Sequence, residues 1–143
     1  MKKLKISDIF FVSVILAFDI CVSAFNIISV SGVTTGNFAV TIAYLIFMCA
    51  AIFVSYILKK KNVLLFSAFF FAVGAFIDAL TLIPKLGGGF FSVLSAIFLA
   101  PYMGIADVLS LENVSRLSAI LFNIVFSVLS LAFLRVLPPR EQK

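Results

Sequence analysis

The sequence contains no histidine and no tryptophan, and charged residues make up only 12% of its 143 positions. Without imidazole there is no histidine general base, no histidine metal ligand and no histidine titration near neutral pH. Cysteine is scarce as well: Cys21 and Cys49 lie in separate apolar runs, where a free thiol behaves as a small hydrophobe. The triplet Gly87-Gly88-Gly89 is followed by Phe90-Phe91 and lacks the Gly-Lys-Ser/Thr ending of a phosphate loop. No cofactor and no metal site is implied by these residues, and no catalytic motif is recognisable.

What the chain has in abundance is apolar surface. Hydrophobic residues account for 64% of the sequence and the mean hydropathy is +1.27, whereas soluble domains are about 45–50% apolar and about 25% charged. The expected fold class is an all-α integral membrane protein, a small polytopic bundle of five hydrophobic segments forming a single membrane domain over 1–143. The net charge of +5 comes from 11 Lys and Arg against 6 Asp and Glu. These basic residues sit in short clusters between apolar runs rather than along one helix face, which excludes a nucleic-acid partner. The expected surroundings are a lipid bilayer, with a second copy or another membrane protein as candidate partner.

The first run covers about 9–30 and follows Lys2, Lys3 and Lys5. Its start resembles a signal peptide, with Val22-Ser23-Ala24 as a weak cleavage site, but hydrophobicity continues past Ala24 and the run is read as a span. The second run, about 38–58, ends in Lys59-Lys60-Lys61, and the third, about 63–83, follows after one Asn. So tight a basic turn predicts a helical hairpin with its loop and the amino terminus on the cytoplasmic side, in a bacterial plasma membrane. Lys59, Lys60 and Lys61 are expected to meet lipid head groups and to set orientation.

The region of about 90–111 has Pro101 at its centre and admits two arrangements. In one it is a fourth span, followed by a fifth over about 117–137 with the tail outside. In the other, 90–100 and 102–111 form a re-entrant helical hairpin, leaving four spans and the tail inside. Five spans put seven of the 11 basic residues inside and four outside, and four spans plus a dip put nine inside and two outside. Against that tally stands a ladder of small residues, Ser92, Ala96, Ala100 and Gly104, which favours close packing along a full-length helix. Five spans is the primary expectation. The abundant phenylalanines, including Phe69-Phe70-Phe71, are expected to face lipid.

An ionised carboxylate at mid-bilayer costs about 2.5–3.5 kcal/mol on insertion scales, so acidic residues inside spans carry the most information. Asp19 lies near the middle of the first run and shares a helical face with Ser23 and Asn26. Ser67, Gly74, Asp78 and Thr81 share a face of the third run, with Lys85 beyond them. Both stripes concentrate toward the same end, with Asp78 about 9 Å above Asp19 by helical rise. Thr41, Tyr44, Met48, Ala51 and Ser55 form a milder stripe on the second run, and Asn123, Ser127 and Ser130 on the last. Asp78 has a plainer alternative as an interfacial partner of Lys85. Asp107 has one as a turn residue, and Glu112 one as a first-turn residue with Ser110 as cap.

Three function classes follow. The first is a non-catalytic assembly, sensor or regulatory module whose polar and small-residue faces bind another helix bundle. The second is a small carrier or carrier subunit for a proton, cation or amine, in which Asp19 and Asp78, with Ser23, Asn26 and Thr81, bind a cationic small molecule. The third, an intramembrane aspartic hydrolase, needs the two carboxyls close enough to share a proton or a water, and their offset works against it. The sequence places the module first, the carrier second, and expects no enzyme.

Overall fold

The computed structural model describes residues 5–28, 35–83, 90–105 and 112–138, and among these every regular element is helical. The elements are α1 (Ile6–Ile28), α2 (Thr35–Ile57), α3 (Lys61–Thr81), α4 (Phe90–Leu99) and α5 (Glu112–Val136), with a 3-10 turn over Ala100–Tyr102 that continues α4 as far as Ile105. Helix is the required solution for such runs, because hydrocarbon offers the backbone no outside hydrogen-bond partner. Four of the helices, α1, α2, α3 and α5, are long and apolar enough to cross a membrane. The fourth segment, Val93–Ile105, is shorter.

The turn between α2 and α3 is built without glycine. Lys59 takes the left-handed conformation, with φ 54°. The Lys60 amide donates to Ser55 O at 2.8 Å and the Lys59 amide to Tyr56 O at 3.0 Å, the bond pair of a Schellman motif. The chain therefore reverses within two or three residues and α3 starts at Lys61.

Contacts at the two ends fix the topology. Asp8, at the start of α1, pairs with Lys60 Nζ at 3.2 Å as an ion pair and accepts a hydrogen bond from Asn62 Nδ2 at 2.7 Å, and Lys60 also bonds Ser7. Lys61 Nζ donates to Pro138 O at 2.6 Å, just past α5. The start of α1, the α2–α3 turn and the end of α5 thus share one end of the bundle, here called the basic end. The α3–α5 pair is antiparallel along its length: Ser127 Oγ donates to Ala68 O at 2.9 Å, Phe71 and Phe126 have ring centroids 5.0 Å apart, and Arg116 reaches Thr81 O at 3.4 Å. Four long helices run up, down, up and down.

This corrects the five-span expectation, since a chain that leaves α3 at the far end and enters α5 at the far end makes no net crossing between them. The hairpin alternative agrees with the position of Pro138 at the basic end, but among the described residues the helix runs on past Pro101 to Ile105 without reversing. The run over 90–105 instead lies across the far end. Ser95 touches α3 at Asp78, the Ile97 and Ala100 carbonyls take Ser23 and Asn26 of α1, and Gly104 sits against Asn37 and Thr41 of α2. Counted along their helices, those partner residues all lie sixteen to twenty positions from the basic end, a narrow layer about 24–30 Å up. A helix that visits three neighbours at nearly one depth is transverse.

The expected small-residue ladder is only partly a packing surface. Ala100 and Gly104 are buried, Ala96 is exposed, and the Ser92 side chain lies outside the described residues. The phenylalanine triplet also divides: Phe69 is 70% exposed, whereas Phe71 is 1% exposed and packs in the core. Lys2, Lys3, Lys85, the triple glycine, Asp107 and Ser110, and the side chain of Glu112, lie outside the described residues.

Candidate functional site

Most polar side chains in the middle and far half of the four long helices turn inward, because the outer face meets hydrocarbon. Asp19, Ser23 and Asn26 on α1, Thr41, Tyr44 and Ser55 on α2, Ser67, Asp78 and Thr81 on α3, and Asn123, Ser127 and Ser130 on α5 are all buried. Met48 is buried with them, and Ala51 is half-buried. Asp19, Tyr44, Gly74 and Asn123 each lie thirteen positions from the basic end of their own helix, so they form one layer about 20 Å up. Asp78 stands four positions, about 6 Å, above that layer, closer to the level of Asp19 than the sequence spacing implied.

Within this layer Tyr44 donates its hydroxyl to Asp19 Oδ1 at 2.7 Å. The Tyr44 ring meets Tyr102 edge-on, with centroids 5.6 Å apart. Tyr102 stacks on Phe122 at 5.7 Å and donates to Asn123 Oδ1 at 2.9 Å. Asn123 Nδ2 donates to Asp78 Oδ2 at 3.3 Å, and Ser95 Oγ donates to Asp78 Oδ1 at 2.7 Å. Asp19 and Asp78 do not bond each other; a line of contacts joins them through Tyr44, Tyr102 and Asn123, in which the Tyr44–Tyr102 step is a ring contact. Gly74 makes room for the link: a Cβ there would stand 3.1 Å from Asn123 Nδ2 and 2.6 Å from the Phe98 ring.

The hydrogen bonds to both acids come from neutral donors. Among the described residues neither Asp19 nor Asp78 forms an ion pair with a lysine or arginine. The nearest such cation along α5, Arg116, is held at the Thr81 carbonyl, one turn beyond Asp78. Asp78 is fully buried and engaged by Ser95 and Asn123; its alternative partner Lys85 lies outside the described residues. No three His, Cys, Asp or Glu side chains converge among the described residues.

Three of the residues proposed beside the acids have other occupations. Ser23 Oγ donates to Ile97 O at 3.3 Å, and Asn26 Nδ2 donates to Ala100 O at 2.7 Å, so both bind the backbone of the transverse helix. Thr81 Oγ1 donates to the Asp78 carbonyl one turn back at 2.7 Å, not to the Asp78 carboxylate. In their place the site holds Tyr102 and Ser95, which sequence reasoning did not single out. Their spacing of seven, with Phe98 between, marks one helical face of α4, and that regularity was the available signal. Lys59, Lys60 and Lys61 lie at the basic end, remote from this layer.

Comparison with protein-family models, with curated proteins and with solved structures finds no match.

Proposed function

We propose that the protein is a small membrane carrier, or the membrane subunit of one, that loads a proton or a small cation such as an amine on Asp19, with Asp78 as the second acid. The observation that carries this reading is the setting of Asp19: a carboxylate 2% exposed, about 20 Å into a membrane-spanning bundle, hydrogen-bonded by the neutral Tyr44 phenol. A charge there is expensive without a counter-ion, and a proton or a bound cation supplies the balance. A phenol donates to a carboxylate and accepts from a carboxylic acid, so Tyr44 stays bonded to Asp19 in either state. When Asp19 carries the proton, the Tyr44 hydrogen is released to turn toward Tyr102. Loading at Asp19 is thereby felt at α4.

The assembly module ranks second. Its premise was that polar stripes bind another bundle, and those stripes are engaged within this chain, which leaves apolar surface for a partner. The basic end is proposed to be cytoplasmic, because Lys5, Lys59, Lys60, Lys61 and Arg135 lie there and Arg116 lies at the other end.

The test is cation uptake into proteoliposomes by the full chain, driven by an imposed pH gradient, beside Asp19→Asn and Asp78→Asn. Asn keeps the size of the side chain and an oxygen for Tyr44, so folding is retained while titration is lost. Gradient-driven uptake of one cation class that disappears in Asp19→Asn supports the carrier. Equal flux in wild type, mutant and empty vesicles across protons, alkali cations and amines overturns it.

A further inference from the structure

Between α1 and α3, on the outer surface near the basic end, runs a groove of about 590 Å³ lined by Ile9, Val12 and Ser13 on one side and Leu65, Phe66 and Phe69 on the other. Its floor is apolar and its basic-end mouth is polar: Asn62 lines it and bonds Asp8, which also holds Lys60. Along α3 the lining extends from Asn62 to Phe69, about 10 Å of helical rise, the depth of part of one leaflet. The groove belongs to none of the inward-facing network, and its walls are exposed, with Ile9 at 52% and Leu65 at 56%.

The charge around the mouth selects the occupant. Lys5 and Lys59 are exposed there, Lys61 is turned toward Pro138, and Lys60 lies between Asp8 and the Phe11 ring. Among the described residues at the mouth, four lysines stand against one carboxylate, Asp8, an excess of positive charge at the level where phospholipid phosphates lie. The geometry points to a bound anionic phospholipid, one acyl chain in the α1–α3 groove and its phosphate among Lys5, Lys59 and Lys60. A neutral lipid would fill the same groove without using the lysines, and a helix of a second copy would need no phosphate.

The full chain, purified in an uncharged detergent, is titrated with dioleoyl phosphatidylglycerol or dioleoyl phosphatidylcholine while its thermal unfolding is followed and retained lipid is counted by native mass spectrometry. Phosphatidylglycerol is expected to raise Tm saturably by about 5 °C, with one lipid retained per chain, and phosphatidylcholine to give a clearly smaller rise. Leu65→Trp, which fills the groove from an exposed position, removes the difference between the lipids. The double change Lys5→Gln and Lys59→Gln reduces the phosphatidylglycerol effect to that of phosphatidylcholine. Ile9→Trp reads the same question from α1 if Leu65→Trp does not fold. Equal shifts with both lipids, or a full phosphatidylglycerol response in the filled groove, overturn the proposal. So does a wild-type dimer that becomes monomeric in Leu65→Trp, which would make the groove a contact between copies.

Discussion

The Ser23 hydroxyl donates to the carbonyl of Ile97, the acceptor four residues before Pro101. In a continuous α-helix the amide of residue 101 would serve that carbonyl, and proline has none to give. Asn26, one turn above Ser23, serves the Ala100 carbonyl in the 3-10 turn that follows. A polar stripe on one spanning helix is thus the hydrogen-bond complement of a break in another, which is how irregular backbone is tolerated at membrane depth.

That pairing has a measurable signature. Ser23→Ala should destabilise the protein by about 0.6–1.7 kcal/mol, the range for side-chain hydrogen bonds inside membrane bundles. In a Pro101→Ala background the new amide can serve Ile97, and the cost of Ser23→Ala should fall toward zero. A double-mutant cycle on unfolding in mixed micelles reads the difference. Equal costs in the two backgrounds would show that Ser23 does not act through this carbonyl.

Two glycines mark close approaches of different stiffness. A Cβ on Gly104 would stand 2.1 Å from Asn37 O and 2.6 Å from Thr41 Oγ1, against the backbone of α2. On Gly74 its nearest neighbour is the Phe98 ring at 2.6 Å, which can turn aside. Gly104→Ala should therefore be the worse substitution, with Gly74→Ala costing about 1–3 kcal/mol as overpacking does. Thermal unfolding of both variants checks the order. Gly74→Ala carries a further expectation, since Asn123 must shift: the response of the protein to Asp78→Asn should shrink in that background.

Lys59 occupies a left-handed position that glycine adopts freely, at a cost of about 1–2 kcal/mol for an ordinary side chain. Lys59→Gly should raise stability in uncharged detergent by about 1 kcal/mol, while weakening any preference for anionic lipid. A destabilised variant would mean that the side chain contributes more than the strain removes.

Much of the interior was legible in the sequence, because hydrocarbon forces a simple rule on polar residues. Asp19, Ser23 and Asn26 recur at helical spacing and are all buried, as are Ser67, Asp78 and Thr81 on α3. What they bond to was not legible. Ser23 and Asn26 meet carbonyls more than seventy residues away, and that match depends on where α4 crosses α1 rather than on any local spacing. The course of the segment beginning at Phe90 was misjudged for a related reason. Its small-residue ladder read as packing along a span, whereas the break at Pro101 lets it lie flat and touch three helices with a few residues each. The tally of basic residues was the better signal, since it tracks the ends of the bundle and needs no knowledge of packing.

The shared end of Lys59 and Pro138 gives the sharpest test of the topology. Lys61 Nζ reaches Pro138 O at 2.6 Å, and Arg116 reaches Thr81 at the opposite end of the same helix pair. Once Cys21 and Cys49, both on the exposed surface, are changed to alanine, a single thiol can be placed at each position in turn. In sealed vesicles of one orientation, Lys59→Cys and Pro138→Cys should react with a membrane-impermeant maleimide from the same side, and Arg116→Cys from the other. An even number of crossings admits no other pattern. Labelling of Arg116→Cys from the side of Lys59→Cys, with Pro138→Cys from the other, would require α4 to cross the membrane and would undo the antiparallel pairing of α3 with α5, together with the Asp78–Asn123 contact that depends on it.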